Sequence, residues 1–125
     1  MILGIGSDLA EVARIRASRA RFGSRFLQRI YTEAEARYAL SKANADERLA
    51  GRFAAKEAGM KAIGTGLAGG VTWKDFEVTR DQSGKPSLRL SGAAAGIAAR
   101  KGIGRIHLTI THTPELAMAV VVMEE

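Results

Sequence analysis

The chain opens with ILGIGS, residues 2–7, where apolar positions are interrupted by two glycines; this predicts a short strand. Strand side chains alternate, so Gly4, Gly6 and Asp8 share one face. Two missing side chains beside a carboxylate leave room for another backbone or for a ligand. Leu9, Val12 and Ile15 then recur at helical spacing and predict a helix over 9–22, interrupted by Gly23-Ser24. Asp8 with Glu11 three residues on has the form of a capping box, so Asp8 can serve either as the N-cap of that helix or as part of a site. A further helical turn follows around Arg25–Ile30. Thr32-Glu33-Ala34-Glu35 is a second capping box, opening a helix that runs to about Ser41. From Asn44 or Asp46 to Ile63 the alanine-rich sequence predicts one long helix, stopped at Gly64. Gly66, Gly69 and Gly70 extend that stop into a loop.

Beyond residue 70 the pattern changes. Val71–Arg80 and Pro86–Leu90 read as strands joined by the turn-rich DQSGK. Ala93–Lys101 predicts a short helix ending at Gly102. Ile106–Thr111 alternates apolar and polar residues, Thr113-Pro114-Glu115 makes a turn, and Ala117–Met123 is a β-branched strand, so the end of the chain reads as a hairpin. The sum is an α+β fold: an antiparallel sheet with the long helix packed against it. At 125 residues, without repeats or linkers, the expectation is a single domain over 1–125.

Composition narrows the function classes. Apolar residues make up 46% of the chain, enough for a real core. No cysteine is present, which excludes disulfides and thiolate metal sites and fits a reducing cytoplasm. Asp8 arrives too early for a signal peptide, and LAMAVVVM is too short to span a bilayer, so a soluble, cytoplasmic protein is expected. The net charge of +6 favours anionic partners: nucleic acid, phosphorylated cofactors or acidic proteins. Arg14, Arg16, Arg19, Arg21, Arg25 and Arg29 lie within sixteen residues with no acid among them.

Glu57 and Lys61 are the oddest charges. They can form an ordinary ion pair one helical turn apart. Yet Phe53, Ala54, Ala58 and Met60 surround Glu57 on the helix surface. A carboxylate there must be paired, bound to a cation or neutralised. A metal-bridged phosphate would engage both residues at once. Asp8 and Glu57, from separate elements, suit a hard ion such as Mg²⁺, which takes few protein ligands. His112 ends the alternating face of Ile106, Leu108 and Ile110; a hydrogen-bonded structural histidine is the commoner outcome there. His107 lies on the opposite face. GTGLAGG lacks the Gly-Lys-Ser/Thr of a Walker loop.

Four segments together resemble the holo-acyl-carrier-protein synthases, the small bacterial 4′-phosphopantetheinyl transferases: GIGSDLAEVARI at 4–15, LAGRFAAKEAGMKAIGTG at 49–66, GKP at 84–86 and LTITHTPELAMAVVV at 108–122. The resemblance implies the 4′-phosphopantetheinyl transferase fold, and transfer of the phosphopantetheine arm of coenzyme A to a serine of apo-acyl carrier protein. Adenosine 3′,5′-bisphosphate would be released. By motif position it implies Mg²⁺ at Asp8 and Glu57, with Lys61 on the transferring phosphate. It also implies coenzyme A contacts from Arg52, His112 and Thr113, and close backbone approach at Gly64 and Gly66. Arg14, Arg21 and Arg25, with Phe22 and Phe26 as apolar anchors, would dock the acidic carrier protein, and active sites would lie between subunits of a homotrimer. The proton acceptor stays open between a water and Glu57. The stretch SKANADER before Leu49 carries only Lys42 and Arg48 where some relatives have a basic run, so the holders of the nucleotide's 3′-phosphate stay open too. The competing reading, a small basic nucleic-acid-binding domain, rests on charge alone and gives no reason for Asp8 and Glu57.

Overall fold

The computed structural model describes residues 1–125. Its organising element is helix α4, Ala45–Ile63, of which twelve residues are buried. Few helices are covered on so many sides, and the sequence of α4 explains how this one is. Gly51, Ala54, Ala55, Ala58, Gly59 and Ala62 leave it a narrow rod that neighbours approach closely. A Cβ on Gly59, for instance, would stand 2.8 Å from the Phe76 ring.

Three strands form the sheet that α4 crosses: β1 (Ile2–Glu11), β4 (Arg105–His112) and β5 (Leu116–Glu124), all antiparallel, in the order β1-β5-β4. The β4–β5 hairpin is the one the alternation predicts. Period-2 burial is clear in β5, where Ala117, Ala119, Val121 and Met123 are fully buried against α4. Gly4 and Gly6 of β1 answer the question of what fills their missing side chains. A Cβ on Gly4 would lie 2.1 Å from the Ala62 carbonyl oxygen, and one on Gly6 only 1.9 Å from that of Ala58. Helix backbone occupies the space. No ligand does.

Helices α1 (Val12–Phe22) and α3 (Glu33–Leu40) pack on other sides of α4, and α2 (Ser24–Ile30) packs on α1. The Thr32 capping box is present: the Glu35 amide donates to Thr32 Oγ1 at 3.3 Å and the Thr32 amide to Glu35 Oε1 at 2.8 Å. The box expected at Asp8 is not. Strand β1 continues through Asp8 to Glu11, each residue paired with β5 as far as Glu11 opposite Leu116. Ladder bonds occupy the backbone that a cap would have used, and α1 begins at Val12, whose amide donates to the Glu115 carbonyl at 2.9 Å.

The strand expected over 71–80 also shortens. Thr72 and Asp75 close a single 3₁₀ turn, Trp73–Asp75, through the Thr72 hydroxyl and Asp75 Oδ1 at 2.9 Å. Strand β2 (Phe76–Arg80) then pairs with β3 (Pro86–Leu90) as a separate antiparallel hairpin, and α5 (Gly92–Arg100) leads into β4.

Candidate active site

The close crossing of α4 over Gly4 and Gly6 decides what stands beside Asp8. Asp8 lies on the helix-facing side of β1, two residues after Gly6. Glu57 and Lys61 lie one turn apart on α4, flanking Ala58. The Lys61 ammonium donates to Asp8 Oδ1 and to the Ser7 carbonyl, each at 3.0 Å. Lys61 thus pairs with the strand carboxylate and not with Glu57, its neighbour on the helix. An ammonium has three donors; two are used, and the Lys61 side chain is 55% exposed, so the third remains open to a further acceptor.

Glu57 is half-buried and unpaired by any cation. Its proton affinity is raised above the ordinary carboxylate, first by desolvation and next by the charge of Asp8, with Lys61 acting in opposition. Asp8 and Glu57 share a cleft of about 560 Å³, walled by Phe53 of α4, Leu116 of β5, and Arg14 and Phe26 of α1 and α2. No third Asp, Glu, His or Cys joins them in a ready-made cage. Two carboxylates that repel one another in a half-dry cleft fit a hard cation that fills its remaining coordination with water and phosphate oxygen.

The cleft continues past Phe26 and Ser18 into a groove of about 490 Å³ bounded by Phe22, Arg25, Arg29 and Trp73. Of the docking candidates, Arg14, Phe22, Arg25 and Phe26 therefore line one continuous surface with the carboxylates. Arg21 lies over the Phe22 ring at 5.1 Å and lines neither part. Arg16 and Arg19 are committed elsewhere, both to Asp46 at the start of α4.

Arg52 and His112 form a second cleft, of about 180 Å³, with Arg48, Arg80 and Tyr38. It shares no residue with the first. The helix dictates this: five residues separate Arg52 from Glu57, which turns them about 140° apart. The Arg52 and Arg80 guanidiniums both lie over the Tyr38 ring, at 4.5 and 4.4 Å from its centre. Arg52 is buried without an acidic partner, its Nε has no acceptor, and burial lowers its pKa. Such a group calls for an anion. His112 Nδ1 is 2.7 Å from Glu47 Oε1, which fixes the ring. Thr113 stands apart from this cleft: its hydroxyl accepts from the Glu115 and Leu116 amides within the β4–β5 turn. Gly64 closes α4 in the left-handed conformation (φ 81°) that a side chain disfavours, and Gly66 (φ 56°) has open space around its Cα.

Tyr38, Arg80 and Glu47 escaped the sequence reading. Arg80 sits at a strand end beside a turn and Tyr38 on a polar helix; neither position carries a periodic signal. Lys56, and its pairing with the capping-box residue Glu35, also escaped it; the two form a fully buried ion pair at 2.6 Å. A signal existed for Lys56. Leu49, Arg52, Lys56 and Ile63 lie along one stripe of α4, so two charges interrupt an apolar face.

Comparison with known proteins converges on one family. The 4′-phosphopantetheinyl transferase superfamily profile matches residues 4–121. The holo-[acyl-carrier-protein] synthase of Koribacter versatilis is 58% identical over 125 residues, 100% of both chains. Among solved structures, the corresponding synthase of Neisseria meningitidis superposes with a TM-score of 0.91 at 35% identity, over 100% of both chains. A holo-(acyl-carrier-protein) synthase from Bacillus anthracis, crystallised with CoA (3′,5′-ADP), superposes at 0.79 with 40% identity, over 98% of this chain and 96% of that one. The strand-borne Asp8, the Glu57–Lys61 turn of α4 and the sheet they cross therefore lie in a chain that belongs to the 4′-phosphopantetheinyl transferase superfamily.

Proposed function

We propose that the chain, acting as one domain over 1–125, transfers the 4′-phosphopantetheine group of coenzyme A to a serine of apo-acyl carrier protein. The observation that carries this reading is the Asp8–Glu57 pair. Two mutually repelling carboxylates share a cleft with an arginine-lined surface, and Lys61 keeps an open donor at their side. The serine hydroxyl of the carrier attacks the phosphorus bonded to the pantetheine oxygen. The new Ser Oγ–P bond forms as the P–O bond to the bridging oxygen breaks. Its electron pair leaves with adenosine 3′,5′-bisphosphate.

Asp8 and Glu57 would hold Mg²⁺, which supplies charge neutralisation and alignment of phosphate oxygens. Lys61 offsets charge on the phosphoryl group as it transfers, the electrostatic help that phosphoryl transfer chiefly needs. The serine proton would pass to a water or to Glu57, whose affinity for a proton is raised in the free cleft. The cleft of Arg52, Arg48, Arg80 and His112 suits the nucleotide phosphates, with Arg52 and Arg80 adding cations to the Arg48 that SKANADER supplies. Arg14 and Arg25 steer an acidic carrier protein onto α1 and α2.

One coenzyme A would have to touch both clefts, yet they face different ways on one α4. A second copy resolves the conflict. The outer face of the sheet exposes Ile5, Leu9 and Met118 at 38–64%, an apolar surface opposite the face that α4 covers. Assembly through it, as a homotrimer, would set the Arg52 cleft of one subunit against the carboxylate cleft of the next. No helix is long and apolar enough to cross a membrane, in keeping with a cytoplasmic site of action. The test is release of adenosine 3′,5′-bisphosphate from coenzyme A. It is expected with apo-carrier protein and Mg²⁺ together and lost when either is withheld or the metal is chelated. Release independent of carrier protein would sink the transferase reading.

A further inference from the structure

Lys56 precedes Glu57 in the chain but turns away from the cleft into the core. Its side chain and that of Glu35 are both without exposure, and their charges meet at 2.6 Å. All three ammonium donors are used: on Glu35, on the Trp73 carbonyl at 3.3 Å, and on the Phe76 carbonyl. Glu35 is equally occupied, accepting from the Thr32 amide at 2.8 Å and the Val78 amide at 2.7 Å. A buried pair of this kind is weak as a source of stability, because well-packed apolar residues can replace it at little cost. What it does achieve is placement. The two carbonyls it grips bracket the 3₁₀ turn Trp73–Asp75. That turn lays the Trp73 indole on the Phe53 ring, centroids 5.0 Å apart and planes 26° from parallel. Phe53 lies one helical turn before Glu57 and walls the cleft that holds Asp8 and Glu57.

We propose that Lys56, held by Glu35, is a positioning residue for the transfer reaction: it fixes the 3₁₀ turn whose indole sets the Phe53 wall beside Glu57. The inference rests on the transferase reading above. Lys56 touches no substrate; it acts through Trp73 and Phe53. Without it the turn is free to slide, Phe53 loses its backing, and the cleft widens and wets next to Glu57.

The chain has a single tryptophan, Trp73, so its fluorescence reports the stack directly. Lys56→Met alone would strand Glu35 unpaired in the core, so the variant to make is Glu35→Gln/Lys56→Met, which removes both charges. In the full-length protein, folded by circular dichroism, its Trp73 emission should shift to the red. Its kcat should fall by at least about tenfold, with the KM for coenzyme A within about twofold of wild type, since small misplacements beside reacting groups cost turnover. Trp73→Leu should reproduce the kcat loss with Lys56 intact, and Trp73→Phe, which keeps an aromatic backing, should recover most of it. A double variant with a lower melting temperature but wild-type kcat and emission would overturn the proposal and leave Lys56 a purely structural residue. If the double variant does not fold, the tryptophan pair decides. Wild-type kcat in Trp73→Leu overturns the proposal; loss in Trp73→Leu with recovery in Trp73→Phe supports it. A wild-type chain that leaves apo-carrier protein unmodified overturns the transferase reading itself, an outcome separate from active wild type with indifferent variants.

Discussion

Gly6→Ala tests the close crossing of α4 over β1 with the smallest change available. The added methyl would begin 1.9 Å from the Ala58 carbonyl oxygen, and real Cβ contacts stay above 3.0 Å, so helix and strand must part by at least about 1.1 Å. The obstacle is helix backbone, which cannot swing aside as a side chain would. Overpacking of this kind costs about 1–3 kcal/mol. For a chain of 125 residues that lowers the melting temperature by roughly 3–5 °C per kcal/mol. The functional loss should exceed the loss of stability. Ala58 lies between Glu57 and Lys61, so the same displacement separates both from Asp8. A misplacement of about 1 Å costs on the order of 100-fold in rate. The assay is kcat for carrier-protein modification at 20 °C, well below the variant's unfolding transition, beside a thermal melt. Near-wild-type kcat in a destabilised Gly6→Ala protein would refute the claim that this crossing sets the site geometry. Unchanged stability would refute the crossing itself.

Other variants probe the remaining parts. Glu57→Gln should abolish transfer without lowering stability at neutral pH. The wild-type carboxyl has its pKa raised on folding, so ionising it destabilises the native state as pH rises from the unfolded value of 4.5 through the folded one. Thermal melts across that range should show a flatter pH slope for the variant; an equally steep slope would contradict the environment assigned to Glu57. In wild type, Mg²⁺ should raise the melting temperature at neutral pH and lose that effect as Glu57 protonates, and Asp8→Asn should abolish the effect. Arg14→Glu should raise the KM for carrier protein several-fold, more at low salt, and leave that for coenzyme A unchanged. Light scattering should give three times the 13.3 kDa chain mass for wild type, and one chain for Ile5→Lys/Met118→Lys.

Much of this was legible locally. The Thr32 box and the Gly64 stop depend on residues within a few positions of one another, the terminal hairpin on two adjacent segments, and all three are present. What the sequence concealed depends on partners far away in the chain. Asp8 reads as a cap because the strand competing for its backbone lies more than a hundred residues on. Lys61 reads as the partner of Glu57 because spacing shows only neighbours on the same helix, whereas the glycines of β1 let Asp8 come within 3.0 Å of its ammonium. Lys56 and Glu35 look like surface charges until Val78, Trp73 and Phe76 close over them. The Tyr38–Arg52–Arg80 cluster draws one residue from each of three elements, a juxtaposition no periodicity encodes.

The most direct measurement is the intact mass of apo-acyl carrier protein after incubation with this chain, coenzyme A and Mg²⁺. The expected result is a gain of one phosphopantetheine on a single serine, absent with Asp8→Asn or Glu57→Gln. An unchanged carrier mass with folded wild-type protein, or full conversion by both carboxylate variants, would contradict a site built on Asp8 and Glu57.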